Sequence, residues 1–284
     1  MSAIVREAAE QPSAEGFDLQ GESTSVADLV RRTVGSRRLL LMLSRKDFFV
    51  RYRRASFGLM WAVVLPLFQA VVLALVFSHI ARIQAGGNYP TFVYSGILPW
   101  IFFSGSLPGA VGSIVDGQDI ATKIYFPRVI LPMVTVGANL YGFGPGLVIL
   151  FGFALIGHVQ FGLNWVLLVP ATILMVLLTT SLCVVLAALQ VYFRDLRYVV
   201  AAALTAWIYV SPVLYPIKLA PHLLRSIMEV VPTTGMVELF RAASVGPDPG
   251  WHTSLYCTLG WTGALLAAAL LLYQRFDRVF VDLL

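Results

Sequence analysis

The sequence predicts an all-α membrane protein with six transmembrane helices, an N-terminal amphipathic interfacial helix and short re-entrant external helices before the last span. Of its 284 residues, 58% are hydrophobic and only 12% are charged, whereas a soluble domain has about 25% charged residues. Long apolar stretches separate the charged residues, and a helix needs roughly 20 such residues to cross the bilayer core. These stretches are unbroken rather than alternating, which favours helices over barrel strands.

Two segments precede the first span. Residues 1–24 are polar, acidic and lack an apolar core, so we expect a flexible cytoplasmic tail rather than a signal peptide or a span. Residues 25–56 form the predicted amphipathic interfacial helix region, with Val26, Leu29, Val30 and Val34 as an apolar stripe and Arg31, Arg32, Arg37 and Arg38 facing lipid headgroups. The alternative is a simple polybasic anchor.

Residues 57–284 form the predicted six-span transmembrane domain. The charge-free stretch 129–193 is long enough for two spans, which we divide at the glycine-containing turn 157–164. The predicted spans are 58–80, 91–113, 130–156, 165–192, 199–217 and 254–273.

Basic residues give the expected orientation, because cytoplasmic loops near spans carry an excess of Lys and Arg. With both termini in the cytoplasm, sixteen of the 20 basic residues lie on the cytoplasmic side. We therefore predict a multi-pass protein of the cytoplasmic (inner) membrane. The net charge of +5 reflects this topology and the lipid bilayer, so no nucleic-acid partner is expected.

The predicted spans contain no Asp, Glu, Lys or Arg. Ion-coupled carriers and pumps keep such groups at membrane depth, so an energised transporter of this kind needs energy from elsewhere. The chain also lacks the GxxxxGK[ST] phosphate loop, and Cys183 and Cys257 show no metal-ligand spacing. We expect no enzyme activity, no catalytic or metal-binding residue and no cofactor in this chain, with ATP and Mg bound by a partner ATPase. The alternative from another class is a passive channel or a membrane scaffold.

The loop 114–128 has the pattern of a short helix. Asp116 and Asp119 favour its N-terminus, Lys123 its last turn, and Ile120 with Ile124 forms an apolar ridge. Such a ridge suits docking into a groove of a partner, although an amphipathic connector lying on lipid fits the same pattern.

Two further segments are unusual. The turn 191–198 is short and charged, and we expect Arg194 and Asp195 to cap the facing helix ends. The external stretch 211–250 contains two amphipathic units, 223–231 and 236–241, which are too short to span. We interpret them as re-entrant or interfacial helices; an ordinary external loop is the alternative.

Four motifs occur in order along the chain: RKDFFVRYRRASFG at 45–58 with Trp61 and Pro66, KIYFPRVILP at 123–132, YFRDLRY at 192–198 and VPTTGMVELFRAA at 231–243. Together they resemble the transmembrane permease subunits of type 2 ABC exporters for lipid-linked polysaccharide, such as O-antigen, teichoic acid, galactan and capsule exporters. The resemblance runs from Arg45 to the C-terminus.

The resemblance implies a homodimer that pairs with two copies of an ABC-type nucleotide-binding ATPase subunit and moves a polyprenyl-diphosphate-linked polysaccharide. A drug or lipid exporter permease of the same fold is the alternative. In such a permease, the loop 114–128 is the coupling loop and 218–245 the external gate helices. The implied ATPase-coupling residues are Asp119, Ile120, Lys123, Ile124, Tyr125, Phe126, Arg51 and Arg53, and the implied gate residues are Pro232, Met236, Glu238 and Arg241.

Aromatic residues connect the chain to a sugar substrate. Phe57, Trp61 and Phe68 fall on one face of the first predicted span, and aromatic faces pack against the C–H faces of sugars, so we place these three in the substrate path. The alternative is the aromatic belt of a membrane interface. For Tyr94, Trp100, Phe102 and Phe103, which share no face, we expect lipid or core contacts. Arg outnumbers Lys 17 to 3, which favours a GC-rich genome, such as that of an actinobacterium, with a cell-wall galactan as a candidate substrate.

Overall fold

The computed structural model describes residues 26–76, 89–117, 126–246 and 250–276, and these contain helices and turns but no strand. The tail 1–24 and the central part of the coupling loop lie outside the described residues. The α-helices, in chain order, are α1 (Val26–Gly35), α2 (Arg37–Tyr52), α3 (Trp61–Leu75), α4 (Tyr89–Asp116), α5 (Ile130–Ile156), α6 (Leu168–Tyr192), α7 (Leu196–Val210), α8 (His222–Val230), α9 (Thr234–Ser244) and α10 (Trp251–Phe276).

Helix α4 forms the centre of the bundle. It packs against α3, α5, α6, α7 and α9. Tyr94, Trp100, Phe102 and Phe103 are all buried in it, because helices surround it on several sides. These four aromatics therefore make core contacts, one of the two roles expected for them.

Four of the described helices are long and apolar enough to cross a membrane: α4, α5, α6 with the preceding 3₁₀ turn Leu163–Leu167, and α10. Helices α3 and α7 are apolar but have 15 residues each, or about 22 Å of rise. The protein is therefore a multi-pass membrane protein by length and composition.

Helix α7 ends earlier than the predicted span 199–217. The helix stops at Val210, and the backbone at Ser211 is extended, with ψ of 141°. The Ser211 hydroxyl forms a hydrogen bond with the Thr233 hydroxyl at 2.6 Å, and Pro212 follows, so a tertiary contact and a proline end the helix where hydropathy alone would continue it.

Helix α2 packs lengthwise along the first half of α5. Leu39 lies with Ile130 in one apolar cluster, whereas Phe48 stacks on Tyr141 with a centroid distance of 5.7 Å. Between them, a Cβ added at Gly137 would collide with the Ser44 hydroxyl. Ser44 and Phe48 are buried, so this face of the predicted interfacial helix is covered by protein rather than by headgroups.

The turn between α6 and α7 is closed by an unexpected side chain. The Gln190 amide donates to the Arg194 carbonyl at 2.8 Å and its oxygen accepts from the Arg197 backbone N–H at 3.0 Å. Asp195 occupies the N-cap position of α7 but makes no side-chain cap hydrogen bond. The expected capping by Asp195 is therefore wrong, and Gln190 holds the turn instead.

The outer faces of the bundle are apolar. Exposed side chains on α3 include Leu65, Phe68 and Leu75, and α10 exposes Tyr256 and Leu271. Large apolar faces of this kind are unusual on soluble proteins and suit contact with lipid or with another apolar surface.

Candidate functional site

The coupling loop and α2 meet at Phe126. Asp119, Ile120, Lys123, Ile124 and Tyr125 lie outside the described residues, but Phe126 is buried with Ile130 and Leu131, and Leu39 and Leu40 of α2 pack against this cluster. The end of the coupling loop is therefore attached to α2 by an apolar contact. Movement of one segment must affect the other.

A chain of polar side chains leads from α2 into the bundle. The Arg51 guanidinium donates to the Asn139 side-chain oxygen on α5 at 2.9 Å, and the Asn139 amide donates to the Ser106 hydroxyl on α4 at 3.1 Å. Arg51 also forms an ion pair with Asp47 at 2.7 Å. Arg51 is still 36% exposed, and Arg53 is exposed as well, so both predicted coupling arginines are accessible at the surface.

The motif Pro232-Thr233-Thr234-Gly235 joins the short helices α8 and α9 to the rest of the bundle. The Thr233 hydroxyl accepts from the Trp207 indole N–H at 3.1 Å, and the Thr234 hydroxyl donates to the Met228 carbonyl at 2.6 Å. The Gly235 backbone N–H donates to the Thr258 hydroxyl of α10 at 3.0 Å. Three consecutive residues thus connect α7, α8 and α10.

Gly235 lies too close to α10 for any side chain. A Cβ at this position would collide with the Ser254 carbonyl oxygen and would lie 2.5 Å from the Thr258 hydroxyl. Only glycine fits such an approach without a shift of one helix.

Helix α9 carries a buried ion pair formed by two of the predicted gate residues. The Arg241 guanidinium donates to Glu238 at 2.9 Å, and each of the two side chains is 1% exposed. Arg241 also donates to the Val213 carbonyl at 2.9 Å and lies 3.9 Å from the centroid of the Phe92 ring on α4, within the range of a cation–π interaction.

This pair changes one expectation from the sequence. The predicted spans contain no charged residue, yet the helical core contains two, because α9 enters it from outside the spans. A methyl group at Gly96 of α4 would lie 2.7 Å from the Val213 carbonyl oxygen and 3.1 Å from Arg241. Glycine at this position therefore lets α4 approach the pair.

The other gate residues differ in exposure. Met236 is fully buried in the main core, and Pro232 is half-buried. Helix α9 is buried along its whole length, whereas α8 exposes Leu223 and Ile227. The two short helices thus have different surroundings: α9 is a core element and α8 a surface element.

The three aromatic residues assigned to the substrate path differ in their surroundings. Phe57 precedes the helix and packs edge-on against Trp61 at 5.8 Å, and Phe57 and Phe68 are exposed. Trp61 borders a cavity of about 180 Å³ between α2, α3, α4 and α5. Phe57 and Phe68 are not among the residues that line this cavity, and the assignment of the three to a substrate path stays a prediction.

Sequence reasoning gave no role to Asn139, Ser106, Thr233 or Gly235. The signal for Asn139 was a polar side chain inside an otherwise apolar span, which is costly unless it is hydrogen-bonded.

In the described part of the chain, no group of three His, Cys, Asp or Glu side chains could hold a metal ion.

Comparison with known proteins gives consistent matches. The family model "ABC-2 type transporter" matches residues 38–244. The chain is 37% identical over 193 residues to the O-antigen export system permease protein RfbA of Myxococcus xanthus, covering 67% of this chain and 73% of that protein. It is 26% identical over 204 residues to the protein of the same name from Klebsiella pneumoniae, covering 72% of this chain and 78% of the relative.

A more distant match extends further along the chain. The capsule polysaccharide export inner-membrane protein CtrC of Neisseria meningitidis serogroup A is 21% identical over 248 residues, covering 85% of this chain and 92% of that protein. The family match includes α2, the polar chain at Asn139 and the buried pair of α9. The chain therefore belongs to the ABC-2 type transporter family.

Proposed function

We propose that this chain is the membrane-spanning subunit of an ATP-driven exporter that moves a polysaccharide across the cytoplasmic membrane. The observation that carries the proposal is the match to O-antigen export permeases over two thirds of the chain, together with the family match. The capsule export relative belongs to the same class of cargo. In its finer form, the cargo is a polysaccharide linked to polyprenyl diphosphate, and six spans cross the membrane with both termini in the cytoplasm.

The proposed energy source is a separate nucleotide-binding ATPase that holds ATP and Mg. Two ATPase copies act on a homodimer of this chain, and the ATPase contacts the coupling loop 114–128 and exposed residues near the end of α2, among them Arg53. Arg51 contributes by linking α2 to α5 through its hydrogen bond to Asn139. The Phe126 cluster supports a joint movement of the loop and α2, because it packs one against the other.

The proposed path of the signal runs through α4. Ser106 of α4 accepts the hydrogen bond from Asn139, and Phe92 of the same helix contacts Arg241. The two residues are separated by about 21 Å of helix. A shift of α2 would thus reach the gate helices through a single helix, which contains Pro99 between these two contacts.

The test of cargo is depletion of this protein in its native cell, followed by extraction of polyprenyl-linked glycans from the cytoplasmic side. Accumulation of long lipid-linked polysaccharide is the expected result. Unchanged glycans with altered sensitivity to drugs would instead favour the drug or lipid exporter.

The test of the ATPase partner is co-purification. Replacing Ile120 and Ile124 with Asp should release a nucleotide-binding protein that accompanies the wild-type chain. A protein that purifies alone in both forms would favour the passive channel or the scaffold.

A further inference from the structure

We propose that the junction of α2, α3, α4 and α5 is a binding site for an anionic glycerophospholipid, with its phosphate at the arginines that end α2 and the first methylenes of one acyl chain in the neighbouring cavity. The site includes Trp61, which was also assigned to the substrate path, and Arg51 and Arg53, which were also assigned to ATPase coupling. Its occupant is a different molecule from the polysaccharide, so the proposal does not rest on the cargo.

The cavity offers an apolar compartment. Its volume is about 180 Å³, similar to cavities of about 150 Å³ that accept a benzene molecule. The walls come from four helices and include Phe48, Trp61, Ala62, Leu65, Leu98 and Phe143. Leu65 is 54% exposed, so the cavity reaches the outer surface of the bundle on the apolar face of α3.

A basic depression adjoins the cavity. It has a volume of about 580 Å³ and is lined by Val50, Arg51, Arg53 and Arg54. Arg51 lines both the depression and the cavity. Arg51 therefore lies between the basic depression, which suits an anion, and the apolar cavity, which suits hydrocarbon.

Arg51 keeps donors for an anion despite its internal contacts. It uses one N–H toward Asn139 and one toward Asp47, and a guanidinium has five N–H donors. Asp47 offsets one positive charge, so the three arginines retain a net charge of about +2 toward the depression. Arginine binds phosphate through two parallel hydrogen bonds. A zwitterionic headgroup also carries a positively charged group, which would be repelled by the arginines of the depression.

The order of the two compartments matches the order of groups in a phospholipid. Along α3, the cavity lining runs from Trp61 through Leu65 to Gln69, a rise of about 12 Å, and the arginines precede its beginning in the chain. A phosphate held at Arg51 would therefore have its acyl chain directed along α3.

Trp61 provides a direct measurement of occupancy. The full-length protein is purified in detergent and titrated with phosphatidylglycerol brominated on its acyl chains, and the Trp61 signal is obtained as the difference between wild type and Trp61→Phe. We expect saturable quenching, with half-saturation at a concentration about tenfold lower than for brominated phosphatidylcholine.

Variants separate the two compartments. Arg54→Gln should raise the half-saturating concentration about tenfold, since it removes an exposed guanidinium from the depression. Arg38→Gln, at an exposed position of α2 that does not line it, should have no effect. Ala62→Phe should abolish the Trp61 quenching by filling the cavity. If Ala62→Phe elutes as aggregate, the proposal is tested by the comparison of the two brominated lipids and by Arg54→Gln.

Three results would overturn the proposal. Equal half-saturation for the two brominated lipids would remove the anion specificity, and an unchanged titration in Arg54→Gln would remove the phosphate site. Displacement of brominated phosphatidylglycerol by a polyprenyl phosphate at a lower concentration than by unlabelled phosphatidylglycerol would assign the site to the lipid carrier of the substrate instead.

Discussion

Two side chains, Glu238 and Arg241, have the most demanding surroundings among the described residues. An ion pair with each side chain 1% exposed has lost most of its hydration, so its net contribution depends on the contacts that replace water. The Val213 carbonyl and the Phe92 ring provide such contacts. They also attach α9 to both the segment after α7 and the central helix.

Removal of one member of this pair should be severe. We expect Glu238→Gln or Arg241→Gln to lower the free energy of unfolding by about 3–5 kcal/mol, because a charge stays buried without its partner. Thermal unfolding in detergent measures the change. The double variant Glu238→Leu/Arg241→Met should lower the free energy of unfolding by less than either single variant, because it leaves no unpaired charge in the core.

The exposed pair Arg225–Glu229 on α8 is the matched control. Its atoms are also 2.9 Å apart, but its side chains are 39% and 26% exposed, so Arg225→Gln should cost less than about 1 kcal/mol. If Arg225→Gln and Arg241→Gln lower the free energy of unfolding by similar amounts, burial of the ion pair does not determine the destabilisation.

A second prediction concerns the close approach of α9 to α10. Gly235→Ala should reduce the yield of folded protein, because the added methyl group meets the Ser254 carbonyl oxygen. Gly260→Ala, on α10 itself, has nothing within 4 Å of the new Cβ and should be neutral or slightly stabilising. Size-exclusion profiles of the two variants test this difference, and normal folding of Gly235→Ala would contradict the observed packing.

At the level of elements, the contact between α2 and α5 determines how a partner's movement could enter the bundle. Apolar contacts hold α2 at Leu39 and Phe48, and Arg51 adds a directional polar contact at its end. Apolar contacts tolerate sliding better than a hydrogen bond does, because the bond fixes one geometry. The polar contact is therefore the one that sets the position of α2 along α5.

This arrangement predicts a loss of coupling without a loss of assembly. Ser106→Ala and Arg51→Gln should each reduce transport per ATP hydrolysed several-fold, while the ATPase still co-purifies, since the Phe126 cluster is intact. Transport and ATP hydrolysis are measured on the same reconstituted complex.

Ser104→Ala is the control for Ser106→Ala. The Ser104 hydroxyl donates within its own helix, to the Trp100 carbonyl at 2.8 Å, so its loss leaves the contact between α4 and α5 unchanged. Equal defects in the two serine variants would exclude a specific role for the polar chain.

The sequence predicted the long helices well and the short ones less well. Helices α4, α5, α6 and α10 follow from apolar length alone, since a span requires about 20 residues. The end of α7 depends on the bond between Ser211 and Thr233, which joins distant parts of the chain. Arg241 and Glu238 were both assigned to the gate by the resemblance, but nothing in the sequence showed that the two side chains form an ion pair buried in the core.

The candidate site was predictable in outline only. The motifs fall on α2, the loop 114–128 and α9, but the contact between Arg51 and Asn139 spans 88 positions. Nothing local in the sequence indicates which apolar span receives the arginine. Partners of this kind emerge only from the packing of α2 on α5.

For the whole molecule, one central helix contacts elements from both halves of the chain. Helix α4 lies between the early helices α3 and α5 and the late helices α7 and α9. The bundle is therefore a single packed unit, and its apolar outer faces on α3 and α10 are available to lipid or to the second copy that we propose.

The proposed orientation can be tested by labelling of single cysteines. In a Cys257→Ala background, with Cys183 buried, a membrane-impermeant maleimide should label Leu163→Cys and Leu223→Cys on intact cells. Both side chains are highly exposed, at 87% and 78%. Phe193→Cys, 66% exposed in the turn between α6 and α7, should react only after permeabilisation; the reverse pattern would invert the topology.

The contact between Arg241 and Phe92 also has a consequence for biogenesis. Phe92 leaves the ribosome roughly 150 residues before Arg241, which at about 5–20 residues per second is ~7–30 s. During that interval Gly96 lacks its later neighbours, the Val213 carbonyl and the Arg241 guanidinium. The buried contact between α4 and α9 therefore forms only after synthesis has passed residue 241, so a chain that ends before this residue leaves α4 without one of its packing partners.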